Sequence, residues 1–261
     1  MGDVALVTGA SSGIGRATAE LLRERGYTVY ELSRSGKTKT GITHITADVT
    51  DEASVNAAVA EIIAKEGRID LLINNAGFGI SGPVEFTETA DARRIMDVNF
   101  LGQFLCSKAV LPHMRERRSG RIVALSSVAS PIAIPYQGFY SASKAAVSSL
   151  ALALRNEVKE FGIKVCAVMP GDASTGFTDA RKKSANGSEV YTRSDAAVAA
   201  MEKDERSGMS AADVARVIYK AATVKNPKPL YVAGGKYKLF MALFKFLPAR
   251  AAYWIVGKMY S

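Results

Sequence analysis

A tyrosine and a lysine four positions apart, Tyr140 and Lys144, carry the clearest chemistry in this sequence of 261 residues. Residues at i and i+4 of a helix share one face, so the phenol and the ammonium group would be neighbours. A nearby positive charge stabilises phenolate and lowers a tyrosine pKa from its reference value of about 10, which suits a general acid and base near neutral pH. The pair therefore predicts proton transfer to or from a substrate oxygen.

Two polar segments follow predicted strands and are expected to join this pair. Ser127 stands thirteen residues before Tyr140, just after a predicted strand over 122–125, and Asn74-Asn75-Ala76-Gly77 ends the strand predicted over 69–73. In an open parallel sheet, ligands bind beyond the carboxyl ends of the strands. We therefore expect these segments to meet the tyrosine and the lysine in one crevice.

A glycine-rich segment between the first predicted strand and the first helix could hold phosphate. It consists of Gly9, Ala10, Ser11, Ser12, Gly13, Ile14 and Gly15. Glycines let backbone N–H groups approach a pyrophosphate at a helix N-terminus, where the helix dipole favours negative charge. The spacing is GxxxGxG and differs from the common GxGxxG fingerprint, so the prediction depends on the position between strand and helix.

The end of the second predicted strand bears on the choice of dinucleotide. NAD sites usually place an acid there for the ribose 2′-hydroxyl, whereas this sequence has Ser33 with Arg34 beside it. Arginine makes bidentate, charge-assisted bonds to a phosphate, so NADP(H) is predicted. Glu31 leaves NAD open, because a register shift of two residues would present an acid on the same side.

The elements that must position these residues alternate along the chain. A helix begins at Gly13 and is stopped by Gly26, and the other predicted helices cover 51–66, 91–117, 141–160 and 211–222. Apolar runs predict strands over 4–7, 29–32, 42–47, 69–73, 122–125, 163–168 and 230–232. The alternation predicts a single-domain α/β protein over 1–261, a doubly wound Rossmann fold with a seven-stranded parallel sheet and helices on both faces.

Composition excludes several classes of function. All 25 acidic residues lie at or before Asp213, so the first 213 residues are electrically balanced and the net charge of +9 belongs to the C-terminal end. A broad basic face for nucleic acid is therefore not expected. Two histidines and two distant cysteines give no metal spacing and no disulfide framework. With no signal sequence or spanning apolar run, we expect a cytoplasmic protein.

With these motifs in view, the sequence resembles the short-chain dehydrogenase/reductase family from Val4 to about Val232. The matching motifs are TGASSGIG (8–15), DV (48–49), NNAG (74–77), Asn99, the Ser127 position, YSASK (140–144) and PGDAST (170–175). Asp172, inside the last motif, stands where a small or apolar residue is expected.

The resemblance implies a role for each matching residue. Tyr140 would be the acid and base, Lys144 would lower its pKa and bind the nicotinamide ribose, and Ser127 would orient the carbonyl group. Asn99 would fix the active-site backbone and a proton-relay water. The remaining positions would contact the cofactor: Asp48 at the adenine, Asn75 and Gly77 near the adenosine ribose, Thr175 at the carboxamide, and Val49, Ala76, Pro170 and Gly171 around them.

Two segments fall outside the regular alternation. Residues 172–208 are rich in charged and small residues, which predicts a lid over the substrate site, although a solvated excursion with one short helix is the alternative. Residues 236–261 form a basic, apolar extension in which Leu239, Phe240, Leu243, Phe244 and Leu247 make a helical stripe that Pro248 would end. The stripe either lies on a membrane surface or, as we prefer, packs over the substrate entrance or a partner subunit.

These features resemble the hydroxysteroid and retinol dehydrogenase branch of the family. They imply an NADP(H)-dependent enzyme that interconverts a secondary alcohol and a ketone on a bulky hydrophobic substrate, with a steroid or bile-acid hydroxyl as the leading class. Reduction of a 3-oxoacyl thioester and a non-catalytic NADP(H) sensor remain alternatives. A homodimer or homotetramer is expected from the family.

Overall fold

A computed structural model describes residues 2–38, 40–184 and 187–259 and contains one large parallel sheet. Its strands are β1 Val4–Thr8, β2 Thr28–Ser33, β3 Ile42–Thr46, β4 Leu71–Asn74, β5 Gly120–Leu125, β6 Ile163–Pro170 and β7 Leu230–Ala233. Their order across the sheet is β7-β6-β5-β4-β1-β2-β3, and every neighbouring pair is parallel. The predicted seven-stranded sheet is confirmed. Its central strands read as apolar runs because both faces are covered, as in β1, where all five residues are buried.

Helices cover both faces of this sheet. They are α1 Gly13–Glu24, α2 Glu52–Glu66, α3 Thr89–Met96, α4 Gly102–Glu116, α5 Gly138–Glu157, α6 Ser194–Arg206, α7 Ala211–Thr223, α8 Gly235–Phe244 and α9 Ala249–Met259. Buried residues of α2, α4 and α5 form one apolar core with the sheet, and those of α1 and α7 form the other. The doubly wound architecture is therefore confirmed.

Local signals in the sequence explain where several helices begin and end. The Asp51 carboxylate accepts a hydrogen bond from the backbone N–H of Ala53 and caps α2, which ends at Gly67 in the left-handed conformation (φ +70°). A capping box of Ser210 and Asp213 starts α7. The boundaries of these two helices therefore follow from contacts between residues that are close in sequence.

The helix predicted over 91–117 differs from the structure in one respect. It begins at Thr89, and a π turn over Asp97–Leu101 separates α3 from α4. A π turn holds one extra residue, so it rotates the following side chains relative to a regular helix. The predicted helix 141–160 also starts earlier, at Gly138, and is followed by a 3₁₀ turn over Lys159–Phe161. Tyr140 consequently lies in the first turn of α5.

The predicted lid segment contains more regular structure than its composition suggested. Besides α6, it holds the two-residue strands Ala173–Ser174, which pairs with Met209–Ser210, and Lys182–Lys183, which pairs with Ile80–Ser81. Positions 185 and 186 of this segment lie outside the described residues. The first pairing brings the two ends of the segment together, and the second joins residues within it to the chain after β4.

The C-terminal extension forms two helices, and the predicted single stripe is wrong. Leu239 and Leu243 are exposed on α8, whereas Phe240 and Phe244 face the protein. The stripe divides because successive residues of a helix are about 100° apart, so the packed side of α8 takes Phe240 and Phe244 and leaves Leu239 and Leu243 outside. Pro248 does not end a long helix but precedes α9, and positions 260 and 261 lie outside the described residues. Among the residues described, no helix is long and apolar enough to cross a membrane.

Candidate active site

A cleft of about 520 Å³ opens beyond the carboxyl ends of the strands, between β1 and β4. This is the point where the strand order reverses, because β2 follows on one side of β1 and β4 lies on the other. Open α/β sheets bind ligands at such a position. Residues of the glycine-rich loop, the segment after β4, the Ser127 region and α5 line the same cleft, so the convergence expected from the sequence is present.

The glycine-rich loop has the shape that a pyrophosphate requires. Gly9 and Gly13 adopt positive φ values of +66° and +56°, which only glycine accommodates readily. A Cβ atom on Gly15 would collide with the side chain of Asn75 and the carbonyl of Gly9. Helix α1 begins at Gly13, so the N–H groups of its first turn and the positive end of its dipole face the cleft. These residues fit a dinucleotide phosphate group.

Thr8 and Asn75 hold this loop against the end of β4. The amide Nδ2 of Asn75 donates to the carbonyls of Thr8 (2.8 Å) and Gly9 (3.1 Å). The Thr8 hydroxyl accepts hydrogen bonds from the backbone N–H groups of Asn75 and Ala76, each at 3.0 Å. Sequence reasoning missed Thr8 because its role depends on a contact 67 positions away. Asn75 and Gly77 line the cleft as predicted, but the Asn75 side chain is engaged with the loop.

The structure shows which side chains near the end of β2 face the cleft and where Glu31 points. Ser33 and Arg34 line the cleft, and the buried Ser33 hydroxyl has no hydrogen-bond partner among the described residues. The Glu31 carboxylate instead contacts Nδ1 of His44 on β3 and borders a separate depression. The structure therefore presents a hydroxyl and a guanidinium group, not an acid, to the cleft at this position.

Asp48 and Val49 lie at the same end of the cleft. The Asp48 carboxylate accepts from the N–H (2.9 Å) and hydroxyl (2.8 Å) of Thr50. The Thr50 backbone hydrogen bond is the main cause of a lowered Asp48 pKa, to which Arg34 and Arg94 add. Arg94 was not predicted, because it belongs to no motif and reaches the cleft only through the packing of α3, where its guanidinium lies 5.5 Å from the Phe78 ring.

Tyr140, Lys144 and Ser127 come together at the other end of the cleft. The Lys144 Nζ is buried, lies 5.9 Å from the Tyr140 ring centre and donates to the Leu125 carbonyl at 2.9 Å. Burial lowers the Lys144 pKa to about 8. Burial also raises the Tyr140 pKa to about 12, against the opposing effect of a hydrogen bond with Ser127. The lowered tyrosine pKa expected from the sequence is thus absent, because desolvation is the largest effect and the Ser127 hydrogen bond and the Arg181 charge oppose it only in part.

Asn99 occupies the π turn and is completely buried. Its amide accepts from the Phe78 N–H (2.9 Å) and donates to the Phe78 carbonyl (3.0 Å) and the Ser143 hydroxyl (3.1 Å). The side chain therefore joins the segment after β4 to α5, and its partners Phe78 and Ser143 are next to Gly77 and Lys144 in sequence. This arrangement agrees with the expected positioning role.

The segment after β6 closes the cleft from above. Pro170, Gly171 and Thr175 line it as predicted, and Thr175 lies next to Gly13 of the phosphate loop. Phe177 was not predicted, yet its ring centre lies 5.6 Å from that of Tyr140. Behind it, the buried Arg181 guanidinium pairs with Glu205 of α6, which also accepts from the Thr178 hydroxyl at 2.7 Å.

Asp172 acquires an explanation in the structure. Its carboxylate accepts a hydrogen bond from the Tyr237 hydroxyl and lies 3.8 Å from the Lys236 Nζ, both on α8. Burial raises the Asp172 pKa, while Tyr237 and Lys236 oppose that shift. The ring of Tyr237 covers Gly171, where a Cβ atom would collide with it. The unusual acid therefore connects the cleft to the C-terminal extension.

No cluster of metal-ligating side chains occurs in the part of the chain that the structure describes. The cleft brings together the Tyr140 phenol, the Ser127 hydroxyl and the Lys144 ammonium group. Such a set can orient a carbonyl oxygen and exchange a proton with it.

Comparisons with known proteins agree with this geometry. The chain is 44% identical over 229 residues to a 3-ketodihydrosphingosine reductase of Bacteroides thetaiotaomicron, covering 86% of this chain and 85% of that protein. It is 35% identical to the dehydrogenase/reductase SDR family member 7B of Mus musculus, over 96% of this chain and 76% of the relative.

Solved structures show the same fold. A short-chain dehydrogenase from Streptomyces avermitilis matches with a TM-score of 0.83 and 31% identity, over 92% of this chain and 91% of that one. ElxO with NADP bound matches with a TM-score of 0.77 and 29% identity over 92% and 100% of the two chains. A Burkholderia phymatum short-chain dehydrogenase/reductase in complex with NAD matches with a TM-score of 0.81 and 26% identity over 94% and 93%.

A family profile described as short chain dehydrogenase matches residues 3–186, which include the phosphate loop, Ser127, Tyr140 and Lys144. Together with the cleft at the switch point of the sheet and the relatives above 30% identity, this match establishes that the chain belongs to the short-chain dehydrogenase family.

Proposed function

We propose that this protein is an NADP(H)-dependent oxidoreductase that interconverts a ketone and a secondary alcohol on a bulky hydrophobic substrate. The observation that carries the proposal is the meeting of Tyr140, Ser127 and Lys144 in the same cleft as the phosphate loop. Reduction of a carbonyl group requires a hydride donor and a proton donor: a dinucleotide held by the phosphate loop would supply the hydride, and Tyr140 would supply the proton.

NADP(H) is the proposed cofactor because of the groups at the end of β2. Arg34 can bind a 2′-phosphate with charge-assisted bonds, and the Ser33 hydroxyl offers a second donor. Glu31 is directed to His44 and is not available to a ribose 2′-hydroxyl. ElxO binds NADP and the Burkholderia relative binds NAD, so relatives of this fold use both dinucleotides. The assignment therefore depends on this chain's own residues.

Each of the site residues has a separate role in the proposed reduction. When bound, the reduced nicotinamide supplies a hydride to the carbonyl carbon. Ser127 donates a hydrogen bond to the carbonyl oxygen and orients it next to Tyr140. The Tyr140 phenol, which is protonated at neutral pH because its pKa is about 12, donates its proton to the same oxygen. Lys144 binds the nicotinamide ribose and Asn99 holds the backbone of Phe78 in place.

The lining of the cleft near Tyr140 favours a large apolar substrate. Val128, Ala129, Ile134, Phe177 and Met201 contribute to it. The Bacteroides relative is described as acting on 3-ketodihydrosphingosine, a long-chain ketone. We therefore place a long-chain 3-keto lipid ahead of the steroid or bile-acid ketones that the sequence favoured. Residues 172–208 act as the lid that encloses this substrate.

Purified protein supplied with NADPH or NADH and a panel of ketones tests the proposal. The panel contains 3-ketodihydrosphingosine, steroid ketones, an acetoacetyl thioester and small water-soluble ketones. We expect NADPH-dependent reduction of a hydrophobic ketone. Tyr140→Phe should lower turnover by at least about a thousand-fold, as expected when both proton transfer and orientation are lost, while NADPH affinity changes less than about two-fold. Tyr136→Phe, a neighbouring tyrosine that does not line the cleft, is the matched control.

Each alternative has its own outcome in this experiment. Reduction of the thioester alone, with a Michaelis constant that rises steeply with salt, would indicate an acidic carrier as substrate. Tight NADPH binding with no turnover on any ketone would indicate a sensor. Unchanged turnover in Tyr140→Phe would contradict the proposed mechanism.

We infer a homodimer or homotetramer from the family and from the exposed side of the π turn and α4. Leu101 and Phe104 are large apolar residues that remain partly exposed there. Burial of such residues between two copies is the usual outcome for a helix face of this kind. Analytical ultracentrifugation of the wild type and of a Phe104→Ser variant would test the assignment.

A further inference from the structure

The C-terminal helices α8 and α9 form a hairpin with two apolar sides, and only one side is covered. The inner side, which includes Met241 and Val256, packs on Ile132 and Met169. The outer side carries Leu239 and Leu243, exposed by 65% and 57%, at positions i and i+4 of α8. A core-facing helix requires only the inner side. The outer residues therefore need a different explanation.

The exposed apolar residues continue from α8 into the connecting turn and α9. Phe246, at the turn, is 88% exposed, and Trp254 on α9 is 66% exposed. Large apolar residues that stay exposed along neighbouring elements are a feature of interaction surfaces. We call this set, Leu239, Leu243, Phe246 and Trp254, the outer face of the hairpin.

Basic side chains surround the outer face. Lys238, Lys245 and Arg250 are exposed on the same two helices and their turn, and no acidic residue occurs anywhere after Asp213. None of these three forms an ion pair with an acid within the described ranges 2–38, 40–184 and 187–259. The outer face thus combines exposed apolar residues with positively charged residues next to them in sequence.

The charge distinguishes between two possible occupants. A second copy related by a two-fold axis would bring the same basic residues against each other, which is unfavourable. An anionic lipid surface provides negative headgroups for the bases and an apolar layer for the aromatic and leucine side chains. The complementarity therefore favours lipid.

The hairpin also lies beside the substrate end of the cleft. Tyr237 of α8 hydrogen-bonds the cleft residue Asp172, and Phe240 and Phe244 join the apolar cluster that includes Val128, another cleft residue. A surface on which the outer face rests would consequently lie close to the site where a hydrophobic ketone must enter.

We propose that the outer face of the α8–α9 hairpin docks the enzyme on an anionic lipid surface, from which its substrate reaches the cleft. Delivery of the substrate from the lipid surface rests on the proposed function, whereas docking itself does not. Docking requires insertion of Phe246 and Trp254 into the headgroup region together with attraction of Lys238, Lys245 and Arg250 to the lipid phosphates.

The chain contains one tryptophan, Trp254, so its fluorescence reports on this face directly. The experiment mixes the full-length protein with vesicles of phosphatidylcholine alone or with about one third phosphatidylglycerol. With anionic vesicles we expect co-sedimentation, a blue shift of the emission and quenching by brominated acyl chains. With neutral vesicles at the same lipid concentration, binding should be far weaker.

Paired variants separate the contributions. Lys238→Gln with Lys245→Gln should lower the partition coefficient by about 25-fold, since each lysine near an anionic membrane contributes about five-fold. Lys225→Gln with Lys228→Gln removes the same charge from exposed positions outside the hairpin and should have little effect. Leu243→Ser with Phe246→Ser should abolish the blue shift, and Val190→Ser, at an exposed apolar position on the lid, is its control.

Three results would overturn the docking proposal. The first is unchanged Trp254 emission with anionic vesicles, and the second is an equal loss of vesicle binding in the two double-lysine variants. The third is conversion of a dimer to a monomer by Leu243→Ser with Phe246→Ser, which would make the outer face a subunit interface. Vesicle binding is measured without substrate, so it is independent of turnover. If docking holds and no ketone is reduced, the proposed function fails alone.

Discussion

Tyr140 is a protonated phenol at neutral pH, because burial raises its pKa to about 12 and its hydrogen bond with Ser127 opposes that shift only in part. A protonated phenol is the form that donates to a carbonyl oxygen, so this state of the site suits reduction. The sequence placed Lys144 as the group that lowers this pKa. In the structure the Lys144 ammonium donates to the Leu125 carbonyl and lies 5.9 Å from the centre of the phenol ring, and desolvation is the largest effect on the Tyr140 pKa.

Lys144 should destabilise the folded protein at neutral pH. Burial lowers its pKa from 10.5 to about 8, so below pH 8 the folded state holds a charge at a cost of up to about 3 kcal/mol. The unfolded state binds more protons between pH 8 and 10.5, so this cost is relieved as the pH rises through that range. Lys144→Met should therefore raise the free energy of unfolding at pH 7 and have a smaller effect at pH 10.5.

Urea denaturation of the wild type and of Lys144→Met at the two pH values measures this difference. Lys108→Met, at an exposed lysine of α4, controls for general effects of pH. An equal effect of Lys144→Met at both pH values would contradict the lowered pKa. Turnover of the variant should be lost in either case, because its ammonium group is absent.

Arg34 should determine the preference for NADPH. Arg34→Ala removes charge-assisted hydrogen bonds to the 2′-phosphate, each worth about 1.5–3 kcal/mol, so the Michaelis constant for NADPH should rise about 10- to 100-fold. The constant for NADH should change less than about two-fold. Steady-state kinetics with both cofactors measures the ratio. Lys37→Ala, which removes a nearby basic residue bordering the other depression, is the control. Equal effects of Arg34→Ala on the Michaelis constants of both cofactors would contradict the assignment of NADP(H).

At the scale of elements, the π turn and the segment over 172–208, the proposed lid, border the end of the cleft that contains Tyr140. The π turn directs Asn99 inward, where its three hydrogen bonds join α5 to Phe78. The lid is held by the buried pair of Arg181 and Glu205, and Phe177 lies between Arg181 and Tyr140, with its ring 5.8 Å from the guanidinium. The ion pair thus contacts the phenol through the Phe177 ring, and Glu205 also lines the cleft.

Glu205→Gln should loosen the lid. Loss of one partner leaves the Arg181 charge buried without compensation, which costs about 3–5 kcal/mol when the pair is fully buried. We expect a higher Michaelis constant for the ketone, faster proteolysis within 172–208 and an NADPH affinity that changes less. Asp179→Asn breaks the exposed pair with Arg206 in the same segment and should change none of these, since exposed pairs contribute little. Equal sensitivity of the two variants to protease would argue against the pair as the support of the lid.

At the scale of the whole molecule, two large cores hold the sheet and a small third cluster attaches the C-terminal hairpin. The third cluster includes Ile132, Met169, Met241 and Val256, so the hairpin adds one helical layer beside the cleft without entering the main cores. Its connection to the site passes through Tyr237 and Asp172.

Met241→Ala and Leu239→Ala should differ strongly although the residues are two positions apart on α8. Met241 is buried, and its truncation should cost about 2–3 kcal/mol, expressed as faster amide hydrogen exchange throughout α8 and α9. Leu239 lies on the outer face, and its truncation should change stability by less than about 0.5 kcal/mol. Hydrogen exchange with mass spectrometry resolves the two. Similar protection losses would mean that the two sides of the hairpin are not distinct.

The amino-acid sequence by itself determined the order of the elements, because the apolar runs of the strands and the glycines and caps at helix ends act through neighbouring residues. It also determined the set of groups at the site, since Ser127, Tyr140, Lys144 and the phosphate loop each follow a strand or open a helix. In a doubly wound sheet, those positions meet at one edge.

Tertiary structure alone decided which of these groups are available. It directed Glu31 to His44, engaged Asn75 with the loop, brought Arg94 and Phe177 into the cleft and divided the C-terminal stripe between two sides of α8. Each outcome depends on side chains from distant parts of the chain competing for the same contacts. Periodicity and motif spacing describe only nearby residues, so the long-range hydrogen bonds and desolvation that set the Tyr140 and Lys144 pKa values appear only once the chain is packed.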